Sequence, residues 1–182
     1  MPTILGLSGS LRRNSYNTML LQAAAELAPA GCTVEIGSID GIPLYNGDLE
    51  ESDYPAAAAA LKDRVAACDG LLLVTPEYNY GVPGVFKNAI DWLTRPPTDI
   101  PRVFHDRRVA LMGATPGNSG TMNSQQAWLN TLRVLKTRPY FGSYGFVSSC
   151  HKAFDEQGKL TDEKVRKQVQ GFMAGFAEFC SK

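Results

Sequence analysis

Cysteine pairs, histidine clusters and an excess of either charge are all missing from this chain. Its four cysteines, Cys32, Cys68, Cys150 and Cys180, are scattered over 182 residues with no Cys-x-x-Cys pair. That spacing argues against a disulfide framework and reads as reduced thiols in a core. The two histidines, His105 and His151, stand far apart and lack the spacing of a zinc site, so no metal is expected. Lys plus Arg and Asp plus Glu are 18 each. Without a cationic surplus to neutralise phosphates, no nucleic-acid partner is expected.

Long hydrophobic runs are also missing. No stretch approaches the roughly 18 apolar residues of a membrane span, and no membrane partner is expected. Met1-Pro2-Thr3 leads straight into an apolar segment, without the basic region and small-residue cleavage site of a signal peptide. The expectation is a cytoplasmic protein. Several named motifs are absent too. There is no Gly-x-Gly-x-x-Gly of a dinucleotide fold and no Gly-x-x-x-x-Gly-Lys-Ser/Thr of a triphosphatase. Gly6-Leu7-Ser8-Gly9-Ser10 is not the Gly-x-Ser-x-Gly elbow of a hydrolase.

What is present is an ordinary globular composition, 44% hydrophobic and 20% charged. The length suits a single domain over residues 1–182 with a full core. Thr3–Leu7 reads as a first strand, ended by Ser8-Gly9-Ser10. A helix follows from about Ser15, its face marked by Met19, Leu20, Ala23, Ala24 and Leu27, and Pro29 and Gly31 stop it. Thr33–Ile36 reads as a second strand and residues 40–54 as a loop. Pro55 opens a helix through the alanine block to Ala67. Gly70–Thr75 carries an unbroken Leu71-Leu72-Leu73-Val74 run, suited to a central parallel strand covered on both faces. Val85, Phe86, Ala89, Ile90 and Leu93 mark the next helix, closed by Pro96-Pro97. The segment from Pro97 to Arg107 has no clear period, and the connection from Thr94 to Arg107 is somewhat long.

Val109–Gly113 reads as a strand, Thr115–Thr121 as a Gly-rich loop, and Asn123–Leu135 as a helix. A fifth strand lies within Arg138–Ser149. A last helix begins near Thr161, which can cap it, with a buried stripe of Val165, Val169, Phe172, Met173 and Phe176. Five strand–helix repeats imply an α/β fold, a parallel sheet with helices on both faces. In such sheets ligands bind beyond the carboxyl ends of the strands, which selects the loops after Leu7, Thr75 and Gly113.

The first loop, Gly9 to Asn17, leads into a helix N-terminus, where free N–H groups favour an anion. Ser10, Ser15 and Asn17 add donors and Arg12 or Arg13 adds charge, a set that fits a phosphate monoester. The plainer reading is that Ser15 only caps the helix and the arginines are solvated. The second loop, Thr75 to Gly84, has Pro and Gly to present backbone groups outward, and Tyr78 and Tyr80 to meet the faces of a flat heteroaromatic ring. Its plainer reading is a turn with two packing tyrosines.

Gly-Ser-Leu-Arg-x-x-Ser-x-Asn at 9–17, Pro-Glu-Tyr-Asn-Tyr-Gly-Val-Pro-Gly at 76–84 and Lys-Asn-Ala-Ile-Asp-Trp at 87–92 together resemble the NADPH-dependent FMN reductase family, in its quinone, chromate and azo reductase branch. The likeness extends to Phe154-Asp155-Glu156 and Leu160-Thr161-Asp162. It implies a flavodoxin-like fold with five strands in the order 2-1-3-4-5 and bound FMN, with NADPH or NADH as co-substrate. By position, Ser10, Arg12, Ser15 and Asn17 would hold the FMN phosphate, with Tyr16 among the cofactor-binding residues. Pro76, Glu77, Tyr78, Asn79 and Tyr80 would line the isoalloxazine ring, and Thr115 and Gly117 would lie near the ring and ribityl chain. No catalytic side chain is implied, because the flavin carries the hydride. Lys87, Asn88, Asp91 and Trp92 would brace the loop or form a subunit interface, with Trp92 as its anchor.

A homodimer or homotetramer is implied as well. The chain departs from the family's frequent double glycine in the third loop, having Gly120-Thr121. Phe104 and His105, on the connection after Thr94, would either approach the flavin of a neighbouring subunit or lie on a surface excursion. Two rival readings are a flavodoxin-type electron carrier and a non-redox enzyme with Glu77 as its nucleophile. The balanced charge disfavours the carrier, which usually docks through a strongly acidic surface.

Overall fold

The computed structural model describes all residues, 1–182. Strands β1 (Thr3–Ser8), β2 (Thr33–Gly37), β3 (Gly70–Val74), β4 (Arg108–Ala114) and β5 (Arg138–Pro139) form one parallel sheet in the order β2-β1-β3-β4-β5, and β6 (Phe146–Val147) also pairs with β4. The fold is thus the expected α/β sheet. Successive side chains of a strand face opposite layers. In β3, Leu72 and Val74 enter one core with Ile4, Leu20, Phe172 and Phe176, while Leu71 and Leu73 enter the other with Leu5, Phe86, Val103 and Trp128. Burial on both faces accounts for the apolar run that periodicity alone leaves undecided.

Helices α1 (Tyr16–Glu26) and α7 (Glu163–Ser181) cover the first face. Helices α3 (Ala56–Ala67), α4 (Gly84–Leu93), α5 (Ile100–Phe104) and α6 (Met122–Val134) cover the second. The segment read as a loop at 40–54 contains a short helix, α2 (Gly47–Ser52). Asn46 caps it on the Asp48 N–H, with Asp48 and Glu50 in its first turn. The cap of α7 is Asp162 rather than Thr161: Asp162 Oδ1 accepts from the Val165 N–H at 2.8 Å.

The fifth strand is split. Tyr140 N–H joins the Val109 carbonyl and Gly113 N–H the Gly145 carbonyl, and residues 141–144 loop out between these contacts. Phe141 and Tyr144 therefore stand exposed where an unbroken strand would have placed them on the sheet.

The aperiodic connection resolves into a 3₁₀ turn (Pro97–Asp99) and α5. Val103 and Phe104 are buried in the second core, and His105 is half-buried just before β4 begins. Both Phe104 and His105 lie at the amino ends of the strands, opposite the ligand crevice. The expectation that Phe104 approaches a flavin is therefore corrected: with 1% exposure its ring is a core side chain. Trp92 is corrected in the same way. It is fully buried, donates its indole N–H to the Pro43 carbonyl at 2.8 Å, and packs edge-on against Tyr45 and Tyr54. Asn88 donates to the same carbonyl and accepts from the Tyr45 N–H, so this motif pins the 43–45 segment to α4. Lys87 and Asp91 form an ion pair along α4.

Candidate functional site

The ends of β1, β3 and β4 open into one cleft of about 120 Å³. It is lined by Ser10, Arg12, Ser15, Tyr16 and Asn17 from the first loop and α1, by Pro76, Glu77 and Tyr78 from the second loop, and by Ala114, Thr115 and Pro116 from the third. Nine of the twelve expected site residues meet there. Asn79, Tyr80 and Gly117 lie outside the lining; Ala114 and Pro116 join it without having been expected. Pro116 had a local signal in Thr115-Pro116-Gly117, a turn sequence. Ala114 had none, because an alanine at a strand end carries no mark of position.

The first loop arises because β1 ends against α1. Gly9 continues the ladder through its N–H to the Val74 carbonyl, and a Cβ there would collide with the Phe86 ring. Ser15 does cap α1, accepting from the Asn17 N–H, so the plainer reading holds for its acceptor lone pair. The hydroxyl proton remains available to a ligand. Ser10 Oγ accepts from the Arg12 N–H, and Arg12 folds its Nε and Nη2 onto the Asn14 carbonyl. This leaves Arg12 exposed, with its cationic face beside the helix N-terminus. Asn17 lines the cleft beside them. Its buried amide pairs with both backbone groups of Ala114, donating to the carbonyl at 3.0 Å and accepting from the N–H at 2.9 Å. It stitches the first loop to the end of β4.

The second loop is a tight hairpin. Tyr78 and Gly81 exchange backbone hydrogen bonds, and Asn79 and Tyr80 between them have φ of 50° and 61°. Two successive left-handed residues make a type I′ turn, a costly conformation for tyrosine. The turn thrusts Tyr78 and Tyr80 outward, at 54% and 77% exposure. They are not the packing tyrosines of the plainer reading.

Behind the hairpin, the buried Thr75 hydroxyl accepts from the Trp128 indole N–H at 3.1 Å and lies 2.9 Å from Ser124 Oγ. Glu77 turns toward α6 and accepts from Ser119 Oγ, Asn123 Nδ2 and the Ser124 N–H at 3.1–3.3 Å. Partial desolvation raises its carboxyl pKa, but these donors outweigh that and hold it below its ordinary value. A carboxylate engaged this way is a poor nucleophile, which removes the non-redox rival's candidate residue.

The third loop explains the departure from a double glycine. Thr121 has φ of 66° and is fully buried, and its hydroxyl accepts from Gln125 Nε2 at 3.1 Å. Its side chain fills the space above Gly113, where a Cβ would run into Thr121 Oγ1 and the Thr75 carbonyl. The threonine thus faces the sheet rather than the cleft. Gly117 donates to Thr115 Oγ1 and accepts from the Ser149 N–H, which anchors the loop on the segment after β6. A larger cleft of about 290 Å³ lies between α6 and residues 140–146, away from the three loops.

This donor set fits FMN. A helix N-terminus, two serine hydroxyls and an exposed guanidinium suit a phosphate monoester. The Pro76–Tyr78 backbone and the Thr115 hydroxyl suit the edge of a flat polar ring.

Comparison with known proteins points the same way. The family model described as NADPH-dependent FMN reductase matches residues 2–152. An NAD(P)H-dependent FMN reductase of Pseudomonas aeruginosa is 43% identical over 167 residues, 92% of this chain and 89% of that protein. A 2-hydroxy-1,4-benzoquinone reductase of a Burkholderia species is 38% identical, over 93% of this chain and 91% of that protein. Among solved structures, a flavoenzyme NAD(P)H:(acceptor) oxidoreductase from Paracoccus denitrificans superposes with a TM-score of 0.89 at 33% identity, covering 100% of this chain and 98% of that one. With the three-loop cleft at the switch point of the sheet and relatives matching along nearly its whole length, the chain belongs to the NADPH-dependent FMN reductase family.

Proposed function

We propose that this protein is an FMN-dependent NAD(P)H oxidoreductase that passes two electrons to quinones, and also to free flavin, azo compounds or chromate. The observation that carries this reading is the convergence of the three loops on one cleft with a phosphate-binding inventory at one end and an outward-facing backbone hairpin at the other. When bound, FMN supplies the redox chemistry, accepting hydride from NAD(P)H and passing the electrons on. The side chains bind and orient. Ser10, Arg12, Ser15 and Tyr16 at the head of α1 receive the phosphate, with the α1 dipole favouring the anion. Asn17 holds that helix against β4. Pro76, Glu77 and Tyr78, with Asn79 and Tyr80 on the hairpin, border the ring, and Thr115 and Gly117 support it from the third loop.

One open face beside Tyr78 and Tyr80 serves both donor and acceptor, so the nicotinamide leaves before the acceptor enters and the kinetics are ping-pong. No general acid or base is assigned. The same reading makes the protein a homodimer or homotetramer and places it in the cytoplasm, where its four free thiols remain reduced. No helix is long and apolar enough to cross a membrane.

Titration of the purified protein with FMN, followed by steady-state kinetics with both nicotinamides and a panel of acceptors, tests this. Quenching of flavin fluorescence on binding and parallel initial-rate lines with benzoquinone are expected. Turnover without a protein partner separates an enzyme from an electron carrier. Absence of FMN uptake overturns the reading.

A further inference from the structure

Helix α6 begins without a cap of its own. Thr121, the residue before it, is left-handed, and its hydroxyl is turned inward to Gln125, so it offers nothing to the first-turn N–H groups. A helix start with no acceptor costs stability, and an acidic group placed there gains from the dipole as well. Glu77, which lies 47 residues before Ser124 in the chain, takes that place. Its Oε2 accepts from the Ser124 N–H, the third residue of α6 and the ordinary target of a capping side chain. Its Oε1 gathers Ser119 from the third loop and Asn123 from the helix. One half-buried carboxylate thereby joins the second loop, the third loop and α6 at the mouth of the cleft.

We propose that Glu77 is a positioning residue that caps α6 from the second loop and fixes the spacing of the second and third loops before any ligand arrives. Its effect on FMN rests on the functional reading above; the capping itself does not. With the clasp in place the Pro76–Tyr78 backbone and Thr115 stand ready across the cleft, and binding carries less ordering cost. Gln at this position keeps one carbonyl acceptor for the Ser124 N–H, while the Ser119 hydroxyl and the Asn123 amide can rotate to meet its amide group. Asp keeps the charge but is one methylene shorter and loses the reach.

The test uses the full chain in four forms: wild type, Glu77→Ala, Glu77→Gln and Asp162→Ala. The last removes the cap of α7, on the other face of the sheet, and serves as a control for general loss of stability. In the ligand-free protein, amide exchange over residues 115–128 is expected to accelerate in Glu77→Ala and not in Asp162→Ala. FMN affinity, from fluorescence quenching, is expected to fall about tenfold in Glu77→Ala, the fold-change of one buried donor left without its acceptor. The visible band of the bound flavin shifts with it, Glu77→Gln recovers part of both, and Asp162→Ala binds as wild type.

Unchanged exchange in Glu77→Ala overturns the proposal, as does a loss of FMN affinity in Asp162→Ala equal to that in Glu77→Ala. If Glu77→Ala does not fold, Glu77→Asp replaces it, and unchanged exchange and affinity there overturn the proposal equally. Wild-type protein that takes up no FMN overturns the functional reading alone, and the exchange experiment still decides the role of Glu77.

Discussion

At the amino ends of the strands, Arg107 donates from Nε to the Val103 carbonyl, from Nη2 to the Ala66 carbonyl and from Nη1 to the Cys68 carbonyl, closing the end of α3. Nearby, the buried Lys62 ammonium is paired with Asp99 at 2.7 Å, donates to the Arg95 carbonyl and lies over the Tyr54 ring. At the carboxyl ends, Arg12 holds one carbonyl of its own loop and is otherwise exposed. Both ends are rich in polar side chains, but the spare donors differ: at the amino ends the unpartnered one, Arg108 Nε, is buried, whereas at the crevice they stand open to a ligand. At the crevice the inner groups, Asn17, Thr75, Glu77 and Thr121, are bound to backbone or to side chains of the third loop and α6. The outer groups, Ser10, Arg12, Ser15 and Thr115, still have donors to offer. A rigid inner layer holding an unsaturated outer layer is what a preorganised anion site requires.

The largest disruption expected from a single methyl group is at Gly113, under the inner layer. Gly113→Ala drives a Cβ into the Thr75 carbonyl and Thr121 Oγ1, and a backbone oxygen cannot move aside as a side chain can. A loss of about 3 kcal/mol is expected from overpacking, with FMN binding lost as well. Urea unfolding and flavin titration of the same sample check it. If Gly113→Ala is stable and binds normally, the inner layer is softer than its hydrogen bonds imply.

Asn17 and Lys62 set the two ends directly against each other. Asn17→Ala leaves the buried Ala114 N–H and carbonyl without partners, at about 2–3 kcal/mol. Lys62→Met removes an ammonium with 8% side-chain exposure, while Asp99 keeps Arg102, so about 2 kcal/mol is expected rather than the full cost of a broken buried pair. Stability falls in both. Affinity for FMN falls only in Asn17→Ala and stays within about twofold in Lys62→Met, as distant sites behave independently. Equal loss of FMN affinity in both variants would break the distinction between the two ends.

Acid sharpens the same contrast at the crevice. The Glu77 carboxyl is lowered in the folded protein, so its contribution is complete above the ordinary carboxylate value of about 4.3 and disappears as pH falls through the lower folded value. Its hydrogen-bond partners are neutral donors from the third loop and α6, and Arg12, Tyr16 and Tyr78 share the cleft with it. The second ionisation of a phosphate lies higher, near about 6. Protection of the amides over 115–128 in ligand-free protein, corrected for the intrinsic pH dependence of exchange, should therefore fall below about pH 4 in the wild type. The same profile should be flat in Glu77→Gln.

The loops that form the cleft were legible in the sequence because turn chemistry and strand ends are local. Gly9-Ser10, Pro76 and Thr115-Pro116-Gly117 announce themselves without knowledge of the fold. The functions of Asn17 and Glu77 were not, since the partner of one lies 97 residues away and the nearest partner of the other 42. Trp92 shows the opposite failure. A tryptophan beside a site motif is read as an interface anchor, and only the position of the Pro43 carbonyl makes it a core residue. Thr121 is a third kind. A threonine in place of glycine marks a change in the loop, but its inward direction depends on Gly113 across the gap. The split fifth strand left no mark either, because Phe141 and Tyr144 are good strand residues wherever they stand.

The smallest effect concerns the start of α7, where sequence and structure differ by one residue. Thr161 and Asp162 are both capping types, and composition does not choose between them. In the structure Asp162 has extended backbone, φ −71° and ψ 116°, and its carboxylate reaches Val165 N–H, while Thr161 Oγ1 lies 3.4 Å from the Ala153 carbonyl. Asp162→Ala should therefore cost about 1 kcal/mol, and Thr161→Ala a few tenths. Thermal melts of the two variants side by side decide it. Since α7 packs on the face opposite α6, neither variant should alter FMN affinity, and a change in either one would mean that the two faces of the sheet are coupled through β4.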